Sequence, residues 1–214
     1  MRLPTPLLVI TDRKTARQPL DETLAASFAG GLRWVMVREK DLAPPALADL
    51  VRDIVGLACP AGATVSVNGN AAVAHHCGAG GVHLPQGDDV ATARRIVGNA
   101  ALVGVSAHSL DEARAAQDQG ADYVTLSPIF PSVSKPGYGP ALGLDGLSRF
   151  AAAIAIPVVA LGGVGAANAA DCLAAGAAGV AVLGAVMRAN DPAQAVAEMM
   201  TAMAAAPETS HSGR

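Results

Sequence analysis

The sequence predicts a single (β/α)8 barrel, and three observations carry that prediction. Eight short apolar runs recur along the 214 residues, segments of helical period lie between them, and polar residues gather just after the runs. Strands alternating with helices call for parallel pairing through right-handed crossovers, and parallel strands buried on both faces read as continuous apolar runs. A doubly wound open sheet is the other arrangement that this alternation permits.

In chain order the predicted strands are 6-PLLVIT, 33-RWVMV, 63-ATVSV, 81-GVHL, 101-ALVGVS, 121-ADYVTL, 156-IPVVAL and 178-AGVAVL. Between the second and third, Leu47, Leu50, Val51, Ile54 and Val55 recur at the spacing of an amphipathic helix. The segments 88-DDVATARRIV, 109-SLDEARAAQDQG and 166-AANAADCLAAG read the same way, and another amphipathic segment begins near Leu144. Ser109 ahead of Glu112 predicts a capping box. Gly120 and Gly176 stand where a C-terminal glycine ends a helix. The domain is expected over residues 1–204, with 205-AAPETSHSGR as a disordered tail.

Composition narrows the function. With 51% hydrophobic, 15% charged and 3% aromatic residues, the chain can bury a large core made of Ala, Val, Leu, Ile and Gly. The 15 basic residues face 18 acidic ones and form no basic block, so no nucleic-acid partner is expected. Cys59, Cys77 and Cys172 are odd in number, scattered and without a CxxC pair, which argues against a disulfide framework or a zinc site and for a reducing compartment. The run in 1-MRLPTPLLVITDR is too short for a signal-peptide core, and no run approaches a membrane span. No membrane partner is expected, and the cytoplasm is the expected location.

In a (β/α)8 barrel the active site is built where strands end and βα loops begin. The residues there are Thr11, Asp12 and Arg13 after the first strand, Arg38, Glu39 and Lys40 after the second, and Asn68, Gly69 and Asn70 after the third. The fourth ends in His83 with Gln86 and Asp88 beyond, and the fifth in Ser106 and His108. The sixth opens the long loop 127-SPIFPSVSKPGYGPALG, whose Ser132, Ser134 and Lys135 offer hydroxyls and an ammonium to cover an anionic ligand. Strands seven and eight end in 162-GGV and 183-LGAV. Backbone N–H groups of such turns commonly bind phosphate in these barrels, here at Gly162, Gly163 and Gly184, although glycine also simply permits a tight turn.

Lys40 is assigned to an anion, with Arg38 beside it and Glu39 in support. Histidine is the side chain able to take and return a proton near neutral pH. His75 and His76 fall near the end of a helical segment and read as surface residues, and His83 between Val82 and Leu84 reads as a satisfied core histidine. His108 stands at the catalytic face and is the candidate acid/base.

The strings 9-VITD, 37-VREK, 81-GVHLPQGD, 104-GVSAHS, 120-GADYVTLSPIFPS, Lys135, 157-PVVALGGV and 179-GVAVLGAV, in this order and spacing, resemble the thiamine phosphate synthase and TenI superfamily. The resemblance covers nearly the whole chain. It implies a (β/α)8 barrel that handles the phosphorylated thiazole half of thiamine, by one of two activities. Synthases couple hydroxymethylpyrimidine pyrophosphate to thiazole phosphate, with magnesium held by an Asp after strand three and another after strand four. Asp88 keeps the second of these, whereas the family's Asn-Asp reads Asn68-Gly69 and its Gln before the Arg-Glu-Lys string reads Met36.

TenI proteins commonly carry Asn-Gly at that place and need no metal. The resemblance therefore implies a TenI-like thiazole tautomerase with His108 as acid/base and no cofactor. The alternative is a synthase using Mg2+ at Asp88, which the hydroxyl-hydroxyl-lysine pattern of Ser132, Ser134 and Lys135 favours. In either case the expected ligand is a small phosphorylated thiazole contacted by Arg38, Lys40, Asn68, Gln86 and Ser106, and the family's dimers make a homodimer the expected assembly. A noncatalytic TenI-like regulator, and a sugar-phosphate isomerase or epimerase using His83 with Asp88, are the readings from other classes.

Overall fold

Each predicted run forms a strand: β1 (Leu7–Ile10), β2 (Trp34–Val37), β3 (Thr64–Asn68), β4 (Gly81–Leu84), β5 (Leu102–Ala107), β6 (Tyr123–Leu126), β7 (Val158–Leu161) and β8 (Gly179–Val182). The computed structural model describes residues 3–131 and 140–205. All neighbouring strands pair in parallel, and β1 pairs both β2 and β8, so the sheet closes on itself and the open doubly wound arrangement is excluded. The helices are α1 (Leu20–Ala29), α2 (Pro44–Ala58), α3 (Ala71–His76), α4 (Val90–Val97), α5 (Leu110–Asp118), α6 (Gly143–Ala153), α7 (Ala169–Ala174), α8 (Gly184–Met187) and α9 (Pro192–Ala204). Among the described residues no helix is long and apolar enough to cross a membrane.

Successive side chains of a strand point to opposite faces, and this period of two sorts the barrel into two cores. Leu7, Val9, Val35, Val37, Val82, Val103 and Val180 point outward into the layer shared with the helices. Leu8, Ile10, Trp34, Met36, Leu102, Tyr123, Val159 and Ala181 point inward and fill the interior. Trp34 and Tyr123 meet edge to face there, with ring centroids 5.1 Å apart at 75°. That interior has room for a phenol only because β5 carries Gly104: a Cβ at that position would run into the Tyr123 ring.

Local signals end the helices as expected. Gly120 and Gly176 adopt left-handed φ values of 88° and 98°. Ser109 caps α5 by accepting the Glu112 N–H at 3.3 Å. The returning bond of the box is displaced by one residue, because the Glu112 carboxylate accepts the N–H of His108 at 2.7 Å. At the opposite end of the barrel Asp122 accepts both the Val103 N–H and the Arg94 guanidinium, tying β5 to α4 and β6. Cys59, Cys77 and Cys172 are all free thiols.

Candidate active site

Four cations cluster after β1 and β2, and the structure divides them into two pairs. Glu39 turns inward, is only 6% exposed, and accepts from Thr11 Oγ1 at 2.7 Å, from the Arg13 N–H at 3.1 Å and from the Arg13 guanidinium at 3.0 Å. Arg13 also makes a two-point contact with Asp41 at 2.8 and 2.7 Å, and Lys14 reaches the same carboxylate at 2.9 Å. The hydrogen bond from Arg13, then that from Lys14, hold the Asp41 carboxyl well below the usual carboxylate range. Arg13 and Lys14 are thereby neutralised.

Arg38 and Lys40 are not neutralised. Among the described residues neither side chain has an acidic partner, and the half-buried Arg38 has its backbone fixed by an N–H bond to Thr11 Oγ1 at 3.0 Å. A partly buried guanidinium and an ammonium without carboxylates suit an anionic ligand. Glu39 does not pair with Arg38 or Lys40, since its oxygens accept from Thr11 and Arg13, just beyond β1.

Inside the mouth, His83 is a buried ring with both nitrogens engaged: Nδ1 lies 3.1 Å from the Tyr123 hydroxyl and Nε2 lies 3.0 Å from Ser106 Oγ. Burial pushes its pKa down to about 3, so it stays neutral where an enzyme works. A proton shuttle between His83 and Asp88, as a sugar-phosphate isomerase would need, is not supported. Asp88 sits exposed in the loop beyond β4. The core reading of His83 holds, but its neighbours Val82 and Leu84 do not signal that the ring reaches a half-exposed residue of the mouth, Ser106.

His108 follows the last residue of β5, as expected, and its Nδ1 lies 2.8 Å from the Ser127 carbonyl oxygen. A carbonyl can only accept, so the neutral ring carries its hydrogen on Nδ1. This bond fixes the ring between β5 and the start of the β6 loop.

Gly162 and Gly163 have left-handed φ values of 93° and 68°, but the fold demands them for a reason besides phosphate. A Cβ on Gly162 would stand 2.9 Å from Pro128 Cα, and one on Gly163 would stand 2.6 Å from the Pro131 carbonyl oxygen. The β6 loop packs directly on this turn, and Phe130 donates its N–H to Gly162 O at 2.9 Å. A Cβ on Gly184 would run into the guanidinium of Arg188, which lies across the first residue of α8. Arg188 thus adds a cation beside the third expected phosphate position, and the sequence signal for it was its place four residues after Gly184, where it caps the C-terminus of the one-turn α8. Ser132, Ser134 and Lys135 lie outside the described residues.

The metal question turns on the residues just after β3 and β4. Asn68 is half-exposed at the end of β3, Gly69 has a left-handed φ of 72°, and Gln86 and Asp88 are exposed beyond β4. Among the described residues no three His, Cys, Asp or Glu side chains gather to form a metal cage. The Asp88 side chain makes no hydrogen bond or ion pair with the described residues, and a single carboxylate of this kind fits Mg2+, which takes most of its ligands from water and substrate phosphates.

The profile of the thiamine monophosphate synthase family (TMP-TENI) matches residues 7–186, all eight strands included. The chain belongs to this family. It is 42% identical over 200 residues to the thiamine-phosphate synthase of Salinispora tropica, covering 92% of this chain and 96% of that one. The thiamine-phosphate synthase of Moorella thermoacetica is 41% identical over 189 residues, covering 88% of this chain and 90% of the other. The solved thiamine phosphate pyrophosphorylase of Pyrococcus furiosus superposes with a TM-score of 0.85 at 31% identity, covering 94% and 96%. Family membership makes the chain an enzyme of thiamine biosynthesis. These relatives carry the synthase name, so the tautomerase implied by Asn68-Gly69 gives way to the alternative reading as the better supported of the two.

Proposed function

We propose that the chain is a thiamine-phosphate synthase, a transferase that joins hydroxymethylpyrimidine pyrophosphate to thiazole phosphate. The observation that carries this reading is the extent of similarity: relatives with that name align over about nine-tenths of both chains, so the loops that build the mouth are included. In the coupling, the thiazole nitrogen donates its lone pair to the methylene carbon of the pyrimidine while the carbon–oxygen bond to pyrophosphate breaks. Pyrophosphate leaves with that electron pair, and the nitrogen becomes a cationic thiazolium centre.

No proton moves in this step, so the protein's task is charge and orientation rather than acid/base transfer. Arg38 and Lys40 supply positive charge that no carboxylate among the described residues consumes, suited to the departing pyrophosphate. Asp88 would hold magnesium together with pyrophosphate oxygens, and the ion when bound would offset the charge of the leaving group. Arg188 and the turns after β7 and β8 suit the thiazole phosphate. His108 becomes a residue that orders the wall between β5 and the β6 loop. The test is formation of thiamine phosphate and pyrophosphate from the two substrates with and without a magnesium chelator. Product that disappears with chelator supports the proposal, and tautomerisation of the thiazole carboxylate phosphate without coupling would replace it by the isomerase.

A further inference from the structure

A row of polar groups runs from the buried interior to the mouth, and its direction can be worked out. His83, Gly104 and Tyr123 are register neighbours on β4, β5 and β6. Because Gly104 has no side chain, the Tyr123 ring lies across β5 and brings its hydroxyl to His83 Nδ1 at 3.1 Å. On the far side of the imidazole, Nε2 faces Ser106 Oγ at 3.0 Å and Thr125 Oγ1 at 3.3 Å. Tyr123 and Thr125 are buried, and Ser106 is half-exposed.

His83 is neutral, so one of its two nitrogens carries a hydrogen and the other accepts. A buried hydroxyl costs free energy unless it is hydrogen-bonded, and among the described residues the one acceptor in reach of the Tyr123 proton is His83 Nδ1. The competing claim comes from Thr125, whose hydroxyl, among the described residues, also reaches only this ring, at the other nitrogen. Both hydroxyls cannot donate, because the neutral ring has a single acceptor nitrogen. A phenol is intrinsically the stronger donor, ordinarily titrating near pH 10 where an aliphatic alcohol does not, and the burial that raises the Tyr123 hydroxyl above that value acts on the buried Thr125 as well. The Tyr123 contact is also the shorter of the two. Tyr123 therefore donates to Nδ1, the ring hydrogen sits on Nε2, and Nε2–H donates to Ser106 Oγ with Thr125 as a longer second acceptor. Ser106 already accepts from His83, which leaves its own hydroxyl hydrogen to donate into the mouth.

We infer that Tyr123 and His83 are positioning residues that fix Ser106 as a hydrogen-bond donor, so that the ligand atom facing β5 is an acceptor, a ring nitrogen or a phosphate oxygen, and not an amino group. The inference rests on the proposed function only in taking the mouth as the ligand site. Its first test needs no ligand: long-range proton–nitrogen NMR of the 15N-labelled full chain near neutral pH should show His83 as the Nε2–H tautomer. The Nδ1–H tautomer would overturn it.

The second test is a double-mutant cycle read by calorimetric binding of hydroxymethylpyrimidine pyrophosphate and, separately, of inorganic pyrophosphate. Ser106→Ala should weaken binding of the former by about 10-fold, the equivalent of one hydrogen bond. Tyr123→Phe should weaken it less, and adding Tyr123→Phe to Ser106→Ala should change nothing further, because Tyr123 acts through Ser106. Losses that add, or an unaffected Ser106→Ala, would overturn the inference. A matching loss with inorganic pyrophosphate assigns the acceptor to phosphate, and a loss confined to the pyrimidine compound assigns it to the ring. Lack of coupling activity would count against the synthase reading and leave the tautomer result standing.

Discussion

Thr11 donates its hydroxyl to the Glu39 carboxylate across 28 residues of sequence, at 2.7 Å and out of solvent. The same oxygen accepts the Arg38 N–H, so one hydroxyl links the ends of β1 and β2 and sets the backbone from which Arg38 and Lys40 project. Thr11→Val keeps the shape but strands the Arg38 N–H and leaves the buried Glu39 Oε1 with the Arg13 N–H alone. It should cost about 1–3 kcal/mol in urea unfolding and raise KM for the pyrophosphate substrate more than it lowers kcat. A variant with wild-type stability and kinetics would mean that Arg38 is held by other contacts.

The buried His83 gives a pH dependence of known sign. Its folded pKa of about 3 lies below the ordinary 6.5, so between those values the unfolded chain binds a proton that the native state refuses. The stability from the neutral ring is complete above pH 6.5 and falls as the solution is acidified, by about 1.4 kcal/mol per pH unit for one proton. Urea midpoints between about pH 6.5 and 5, above most carboxylate titration, should show this slope in the wild type and lose it in His83→Gln.

Restoring a carboxylate after β3 tests the metal. Gly69→Asp places a side chain in open space, its nearest contact being Pro85 Cδ at 3.9 Å, but at a left-handed φ that aspartate tolerates better than most residues do. Magnesium affinity, measured by calorimetry with pyrophosphate present, should rise by about 10-fold or more while the melting temperature falls slightly. Unchanged affinity would place the magnesium away from Asn68 and Gly69.

The phosphate end is better tested at Arg188 than at the glycines. Gly163→Asp would press a side chain onto the Pro131 carbonyl oxygen and distort the β6 loop, so any loss of binding would not report on phosphate. Arg188→Ala leaves the turn intact and should raise KM for thiazole phosphate by about 10-fold, with the melting temperature unchanged. Equal KM values would assign the phosphate to backbone donors alone.

His108→Asn separates the two chemistries of the family. Coupling needs no proton transfer, so turnover should fall by less than about 10-fold, whereas an enzyme using His108 as acid/base should lose about 10² or more. Initial rates of thiamine phosphate formation decide between them.

The barrel was legible because each strand is a short apolar run bounded by turn residues, and because Gly120 and Gly176 mark helix ends with a conformation that other residues avoid. The positions of His108, Asn68 and the glycine turns followed from the same punctuation. What stayed hidden depends on partners distant in sequence. Arg38, Glu39 and Lys40 look alike as three charges after a strand, and only Thr11 and Arg13, on a different strand end, show that Glu39 turns inward. His83 was read as core because parallel strands are apolar on both faces, which conceals the face that looks into the barrel. Gly104 lies within the run 101-ALVGVS, and nothing beside it in the chain marks the recess that admits Tyr123.

Trp34 is the single tryptophan of the chain, and it stands fully buried in the barrel interior with its indole N–H donated to Ser66 at 3.1 Å. Its intrinsic fluorescence therefore reports on the barrel lumen and on nothing in the helical layer. A blue-shifted emission is the mark of a closed ring of strands, and its shift to the red times the opening of that ring. Far-ultraviolet dichroism follows mainly the helices, so comparing the two signals through one denaturant titration shows whether the inner and outer cores come apart together.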